Sequence, residues 1–202
     1  ALPRMTLKRL AVILSLLPLA LLVWDIPYWL SAKIDMNWIP QLGIRFDLQV
    51  DILSLLFLGL SAVVIPISIL AMPVQQLSSP AFFYALVFLL EGLLFGFFTA
   101  RDLALFTIFW EAMLLPLYFI ISQWGGAKRQ TAALKFLIYM IAGSTMMVAA
   151  VLALYFSSAT TNGQGSFNFS VLSQISSSLP HVELIAAIFL LAFAVKTPLF
   201  PF

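Results

Sequence analysis

Phe109-Trp110-Glu111-Ala112-Met113-Leu114-Leu115-Pro116-Leu117-Tyr118 sets a glutamate in the middle of an apolar run. Between Asp102 and Lys128, Glu111 is the only acidic or basic side chain. A charge held at bilayer depth costs about 2.5–3.5 kcal/mol on insertion scales, so an ionisable residue kept there usually serves function. The run therefore predicts a membrane helix with a working carboxyl inside it.

The rest of the chain has the composition that such a helix requires. Of its 202 residues 63% are hydrophobic and 9% charged, with a mean hydropathy of +1.09; a soluble domain carries about 25% charged residues. Asp51 and Glu91 bound one uncharged stretch, and Lys135 and Glu183 bound another. Each is longer than one bilayer-spanning helix and has to turn back at its polar or Pro-rich interior. The reading is an all-α polytopic membrane protein, one transmembrane domain over residues 1–202, with spans at about 8–30, 49–72, 81–100, 103–123, 131–156 and 183–202. The sixth run ends at Phe202 without a polar flank and the chain opens on Ala1, which reads as a segment of a longer polypeptide. The first apolar run is long and sits among others like it, so no cleaved signal peptide is assigned.

Several chemistries are excluded within the chain. With no cysteine there is no thiolate to ligate an iron–sulfur cluster and no disulfide, and one histidine, His181, cannot make a bis-histidine haem site. Electron transfer would have to occur in a partner. No phosphate-binding glycine loop is present, and no metal site or cofactor site is assigned. The net charge of +2 is not a nucleic-acid signal, because the basic residues cluster at helix ends. Arg4, Lys8, Arg9, Lys128 and Arg129 fall on one face, whereas Lys33, Arg45 and Arg101 fall on the other among Asp25, Asp35, Asp47, Asp51 and Asp102. That bias makes the N-terminal face cytoplasmic, or the matrix or stromal side in an organelle. Trp24, Tyr28, Trp29 and Trp38 gather near the opposite interface, as an aromatic belt does.

Two connectors stand out. Residues 31–48 carry Pro40, Gly43 and the alternation Ile44-Arg45-Phe46-Asp47-Leu48, compatible with a short surface strand or an irregular interfacial loop. Ser157 to Pro180 is rich in Ser, Thr, Asn and Gly and reads as a solvated loop. Within the spans, Gly143-Ser144-Thr145 offers a small surface for close helix packing.

Glu91, Glu111 and Lys196 lie in spans away from the ends, and Lys135 lies about one turn inside the fifth. Glu111 and Lys196 are at matching depth and would face each other if their helices are neighbours. Pro198 and Pro201 follow Lys196, and each removes an N–H, freeing the carbonyls of Ala194 and Thr197; Pro116 does the same to Ala112. Broken helices bearing charge at that depth point to an ion path, since non-helical backbone there is tolerated only in protein or beside a watery cavity. The competing reading of these charges is a structural ion pair. For Lys135 the competitor is snorkelling to the interface.

The run around Glu111, then Trp124-Gly125-Gly126 with Arg129, Lys135-Phe136, Gly143-Ser144 and Ala192-Phe193-Ala194-Val195-Lys196-Thr197-Pro198-Leu199-Phe200-Pro201-Phe202, closely resembles the antiporter-like membrane subunits of respiratory complex I. Within that group the sequence is most similar to the M-type subunit, whose counterparts are the fourth membrane subunit of the mitochondrial complex and the D-type subunit of the photosynthetic NAD(P)H-plastoquinone complex. The resemblance runs from about Asp51 to the end. It implies a larger fold of about fourteen helices with two inverted repeats, of which this chain holds the second helix to the start of a broken seventh. It implies that Glu111 is the essential glutamate, Lys196 its lysine partner, Lys135 a further lysine and Glu91 a further acid of a proton path. It also implies that NAD(P)H, FMN or ferredoxin, iron–sulfur clusters and quinone (ubiquinone or plastoquinone) reside in partner subunits. The implied neighbours are other membrane subunits and lipid, and the implied place is a bacterial inner, thylakoid or organelle inner membrane. A subunit of a multi-subunit cation/proton antiporter and a non-conducting structural module remain as rivals.

Overall fold

The computed structural model describes residues 3–175 and 181–200. Helices α1 (Arg4–Trp24), α2 (Ile26–Ser31), α3 (Ile52–Ala71), α4 (Pro80–Thr99), α5 (Leu103–Ala112), α6 (Leu114–Trp124), α7 (Arg129–Asn162), α8 (Phe169–Ile175) and α9 (Val182–Lys196) account for most of them, with one hairpin of strands β1 (Lys33–Ile39) and β2 (Ile44–Gln49). Among the described residues, five helical stretches are long and apolar enough to cross a membrane: α1, α3, α4, α5 with α6, and Arg129–Thr160 of α7. Their outer faces stay apolar; on α3, Ile52 is 78% and Leu53 64% exposed. Such faces suit lipid or another apolar chain rather than water. The sixth expected span is α9, which stops at Lys196; residues 201–202 of that span lie outside the described part.

Aspartates start the helices at the end away from the N-terminus. The Tyr28 N–H donates to Asp25 Oδ1 (3.0 Å), Ser54 N–H to Asp51 Oδ1 (2.7 Å), and Ala104 and Leu105 N–H to Asp102 Oδ1 (2.9 and 3.2 Å). Each satisfies amides that the first helical turn leaves open. At the opposite end, Lys8 Nζ donates to the carbonyls of Leu70 and Met72 (2.8 Å each), closing the C-terminus of α3.

The connector 31–48 forms an antiparallel hairpin, with Lys33 opposite Gln49 and Asp35 opposite Asp47. Gly43 (φ 67°) supplies the left-handed residue of its turn. Juxtaposing two aspartates is unfavourable, and bonds from three side chains offset it. Arg45 donates to Asp35 from Nε (2.9 Å) and Nη2 (2.6 Å), Lys33 pairs with Asp35 (3.0 Å), and Asn168 Nδ2 donates to Asp47 Oδ2 (3.1 Å).

The stretch Ser157–Pro180 departs from the solvated loop that its composition predicts. Helix α7 continues to Asn162 and ends at Gly163 (φ 75°), and Phe169–Ile175 is helical. The Phe167 ring stacks on Tyr155 with centroids 4.4 Å apart, while Leu103 N–H donates to Phe167 O (2.8 Å) and Phe169 N–H to Arg101 O (3.0 Å). Aromatic anchors fix a segment whose polar residues alone would leave it in water. Residues 176–180 of that stretch lie outside the described part.

Packing runs from α1 against α3, to α3 on α4, α4 on α5 and α6, α6 on α7, and α7 on α9. Two close approaches set the register at mid-depth. A Cβ on Gly96 would lie 2.4 Å from the Phe109 ring, joining α4 to α5, and a Cβ on Gly143 would lie 2.4 Å from Val195 Cγ1, joining α7 to α9. The small surface at Gly143 thus sits against the residue before Lys196.

Candidate functional site

Two helix breaks meet at mid-depth. Pro116 cannot continue the ladder from Ala112, and the helix is interrupted at Met113, two residues after Glu111. A helix that ends at Ala112 leaves its last four carbonyls without intrahelical partners. Met113 N–H takes that of Phe109 (3.2 Å). The carbonyl of Trp110 accepts from Lys196 Nζ at 3.0 Å, and the same ammonium lies 4.0 Å from the centroid of the Trp110 ring.

The second break is at Lys196 itself. Helix α9 ends there, Thr197 N–H donates to Phe193 O (2.9 Å), and Leu199 N–H reaches back to Ala194 O (2.9 Å) in place of the amide that Pro198 lacks. The freed Ala194 carbonyl is therefore taken by the residue after the proline, and the chain leaves the helix beside the lysine. Pro201 lies outside the described residues.

Glu111 and Lys196 are within Coulombic reach of each other. They do not form a direct contact pair: among the described residues the ion pairs are Lys33–Asp35, Arg45–Asp35 and Arg101–Asp51. The expected ion pair is not among these; the ammonium rests instead on Trp110, the residue next to Glu111. Glu91 is 4% exposed and its Oε1 has no hydrogen-bond partner. Lys135 is exposed on α7, one turn and a half from its start.

The two glycine contacts give the offsets of these residues along their helix axes. With about 1.5 Å of rise per residue, Glu111 lies about 3 Å and Glu91 about 7.5 Å from the level of Phe109, both toward the N-terminal face. From the Gly143–Val195 contact, Lys196 lies about 1.5 Å and Lys135 about 12 Å toward that same face. Within each helix pair, Glu111 lies farther from the N-terminal face than Glu91, and Lys196 farther than Lys135. Among the described residues no three His, Cys, Asp or Glu side chains converge as a metal site.

Sequence reasoning did not single out Trp110 as a partner of the lysine. Its signal was the adjacent tryptophan itself, in a last helical turn opened by Pro116. Nor did it foresee the polar knot at the far end of the helices. Asp102 is fully buried there, accepting from Arg45 N–H (3.2 Å) as well as from its own helix, and Arg101 Nη2 donates to Asp51 Oδ2 (2.7 Å).

Known proteins share this arrangement of helices. Residues 100–202 match the family described as NADH:quinone oxidoreductase/Mrp antiporter, TM. NADH-quinone oxidoreductase subunit M of Escherichia coli K12 is 38% identical over 183 residues, covering 87% of this chain and 35% of that protein. The chain spans about a third of the length of the curated relatives it matches. A chain of respiratory complex I from Thermus thermophilus superposes with a TM-score of 0.78 at 32% identity, over 99% of this chain and 41% of that one. The Mrp complex of Dietzia sp. superposes with a TM-score of 0.80 at 23% identity over 98% of this chain and 22% of that one, a likeness of fold. With its apolar helices, its two mid-depth breaks and a match over more than half its length, the chain belongs to the NADH:quinone oxidoreductase/Mrp antiporter transmembrane family.

Proposed function

We propose that residues 1–202 form one transmembrane domain of a proton-translocating membrane subunit in an NAD(P)H:quinone oxidoreductase, and that Glu111 and Lys196 carry the proton step. The observation that carries this reading is the lysine at a helix break, held beside a mid-membrane glutamate without being locked to it. A carboxyl near Lys⁺ favours its charged form, and one left alone in low dielectric favours its neutral form, so making and breaking the contact switches proton affinity. Glu91 and Lys135 extend the ionisable groups toward the basic N-terminal face, as further stations for a proton. Electrons pass between NAD(P)H and quinone in partner subunits, where FMN or ferredoxin and iron–sulfur clusters reside. This chain supplies no redox step.

The family match also names the Mrp antiporters, in which a subunit of this fold would exchange cations for protons with no redox partner. The two readings differ in the company the subunit keeps. Purification of the intact subunit from its native bacterial or organellar membrane, with identification of the co-purifying chains, tests the choice. A quinone-binding subunit and iron–sulfur proteins are the expected companions. Recovery with antiporter subunits alone would overturn the oxidoreductase reading.

A further inference from the structure

We propose that Trp110 is a positioning residue that holds the Lys196 ammonium off Glu111, and so sets how often the carboxyl is free to exchange its proton. The proposal rests on the proton-carrying reading of Glu111 and Lys196.

The hold has two points. The ammonium donates to the Trp110 carbonyl at 3.0 Å and lies 4.0 Å above the indole centroid. Both are neutral acceptors, so they stabilise Lys⁺ without cancelling the charge of Glu111 one residue away. The carbonyl lies in the last turn of α5, which ends at Ala112 and leaves its final carbonyls without intrahelical partners. Break and tryptophan are thus one device.

The ring is also braced. Trp110 is 6% exposed and packs against Phe97 (5.5 Å), Phe106 (6.0 Å) and Phe193 (5.4 Å) between centroids. Phe193 stands three residues before Lys196, on the same face of α9, so the helix that carries the lysine is clamped to the ring that receives it. Glu111 on α5 is the charged group whose field reaches Lys196 among the described residues. Losing a partly desolvated cation–ring contact would shift the balance toward the closed Glu111–Lys196 pair by about tenfold.

The test uses the intact complex carrying Trp110→Leu, Trp110→Phe and, as the reference for full loss, Glu111→Gln. Protons moved per electron are measured per assembled complex. Trp110→Leu, which keeps the carbonyl and loses the ring, is expected to lower protons per electron well below the wild type without reaching the full loss of Glu111→Gln, whereas Trp110→Phe, which keeps an aromatic face, retains most of it. A merely structural tryptophan would lower the amount of complex and leave protons per electron unchanged. If the Leu variant does not assemble, Trp110→Met, a flexible side chain that fits an aromatic surround but offers no ring face, decides the same question. Wild-type pumping by the Leu or Met variant while Glu111→Gln loses it overturns the role of Trp110 alone. Equal loss with Phe and Leu overturns the ring hold. Normal pumping by Glu111→Gln removes the reading beneath the proposal, an outcome the Trp110 variants by themselves cannot give.

Discussion

Glu91 is the residue whose presence is hardest to explain by stability. It is 4% exposed, near mid-depth, and its Oε1 meets no donor. A buried polar atom without a partner costs about 1–3 kcal/mol, and replacing it by an apolar side chain of similar size removes that cost. Glu91→Leu is therefore expected to assemble as well as the wild type or better, with thermal unfolding of the purified complex at the same or a higher temperature. If Glu91 serves as a proton station, pumping falls in the same preparation. Loss of assembly with unchanged specific pumping would assign Glu91 a structural bond instead. Lys196 differs: its ammonium has an acceptor in the Trp110 carbonyl and lies on the Trp110 ring, with no ion pair to it among the described residues.

At the scale of elements, the far end of the molecule is tied by charge. Asp51 starts α3 and pairs with Arg101, which precedes α5. The Ser54 amide, its side chain and Arg101 together hold the Asp51 carboxyl down from 3.8 to about 2, against the opposing effect of partial burial. A carboxyl depressed in the folded state contributes stability above its unfolded value and loses it as pH falls from about 4 toward about 2. Because the side chain is 46% exposed, solvent screening leaves under about 1 kcal/mol of this. Asparagine caps a helix about as well as aspartate. Asp51→Asn should therefore unfold at a slightly lower temperature than the wild type near about pH 6, with the difference vanishing toward about pH 2. A difference that persists unchanged at the acid end would show that the bond is not charge-dependent.

For the molecule as a whole, the traverses were legible because apolar runs are bounded by residues with definite chemistry. Asp51 and Asp102 begin helices, Pro80 stands at the first helical position of α4, and Pro198 ends α9 at Lys196. Of the hairpin, the alternation over Ile44–Leu48 was visible, but β1 depends on its pairing with β2 and on the cross-strand bond from Arg45 to Asp35, which no local pattern reveals. The segment after Ser157 misled because composition counts its Ser, Thr, Asn and Gly, whereas Phe167 stacked on Tyr155 decides its placement. Depth brought Glu111 and Lys196 to one level, yet hydropathy carries no lateral direction and gave no hint that the ammonium would rest on Trp110. In the proposed function, Glu111 carries a proton rather than fixing Lys196 in place. Glu111→Gln keeps size and hydrogen bonding but cannot exchange a proton, and Lys196 retains its partner at Trp110. The most direct measurement is proton pumping and amount of assembled complex in the same membranes for Glu111→Gln. Pumping through this subunit is predicted to be lost with assembly intact, and Glu111→Asp is predicted to keep part of it. A structural ion pair would instead lose assembly, since stranding a buried charge costs about 3–5 kcal/mol. Normal pumping by the Gln variant would contradict the account outright.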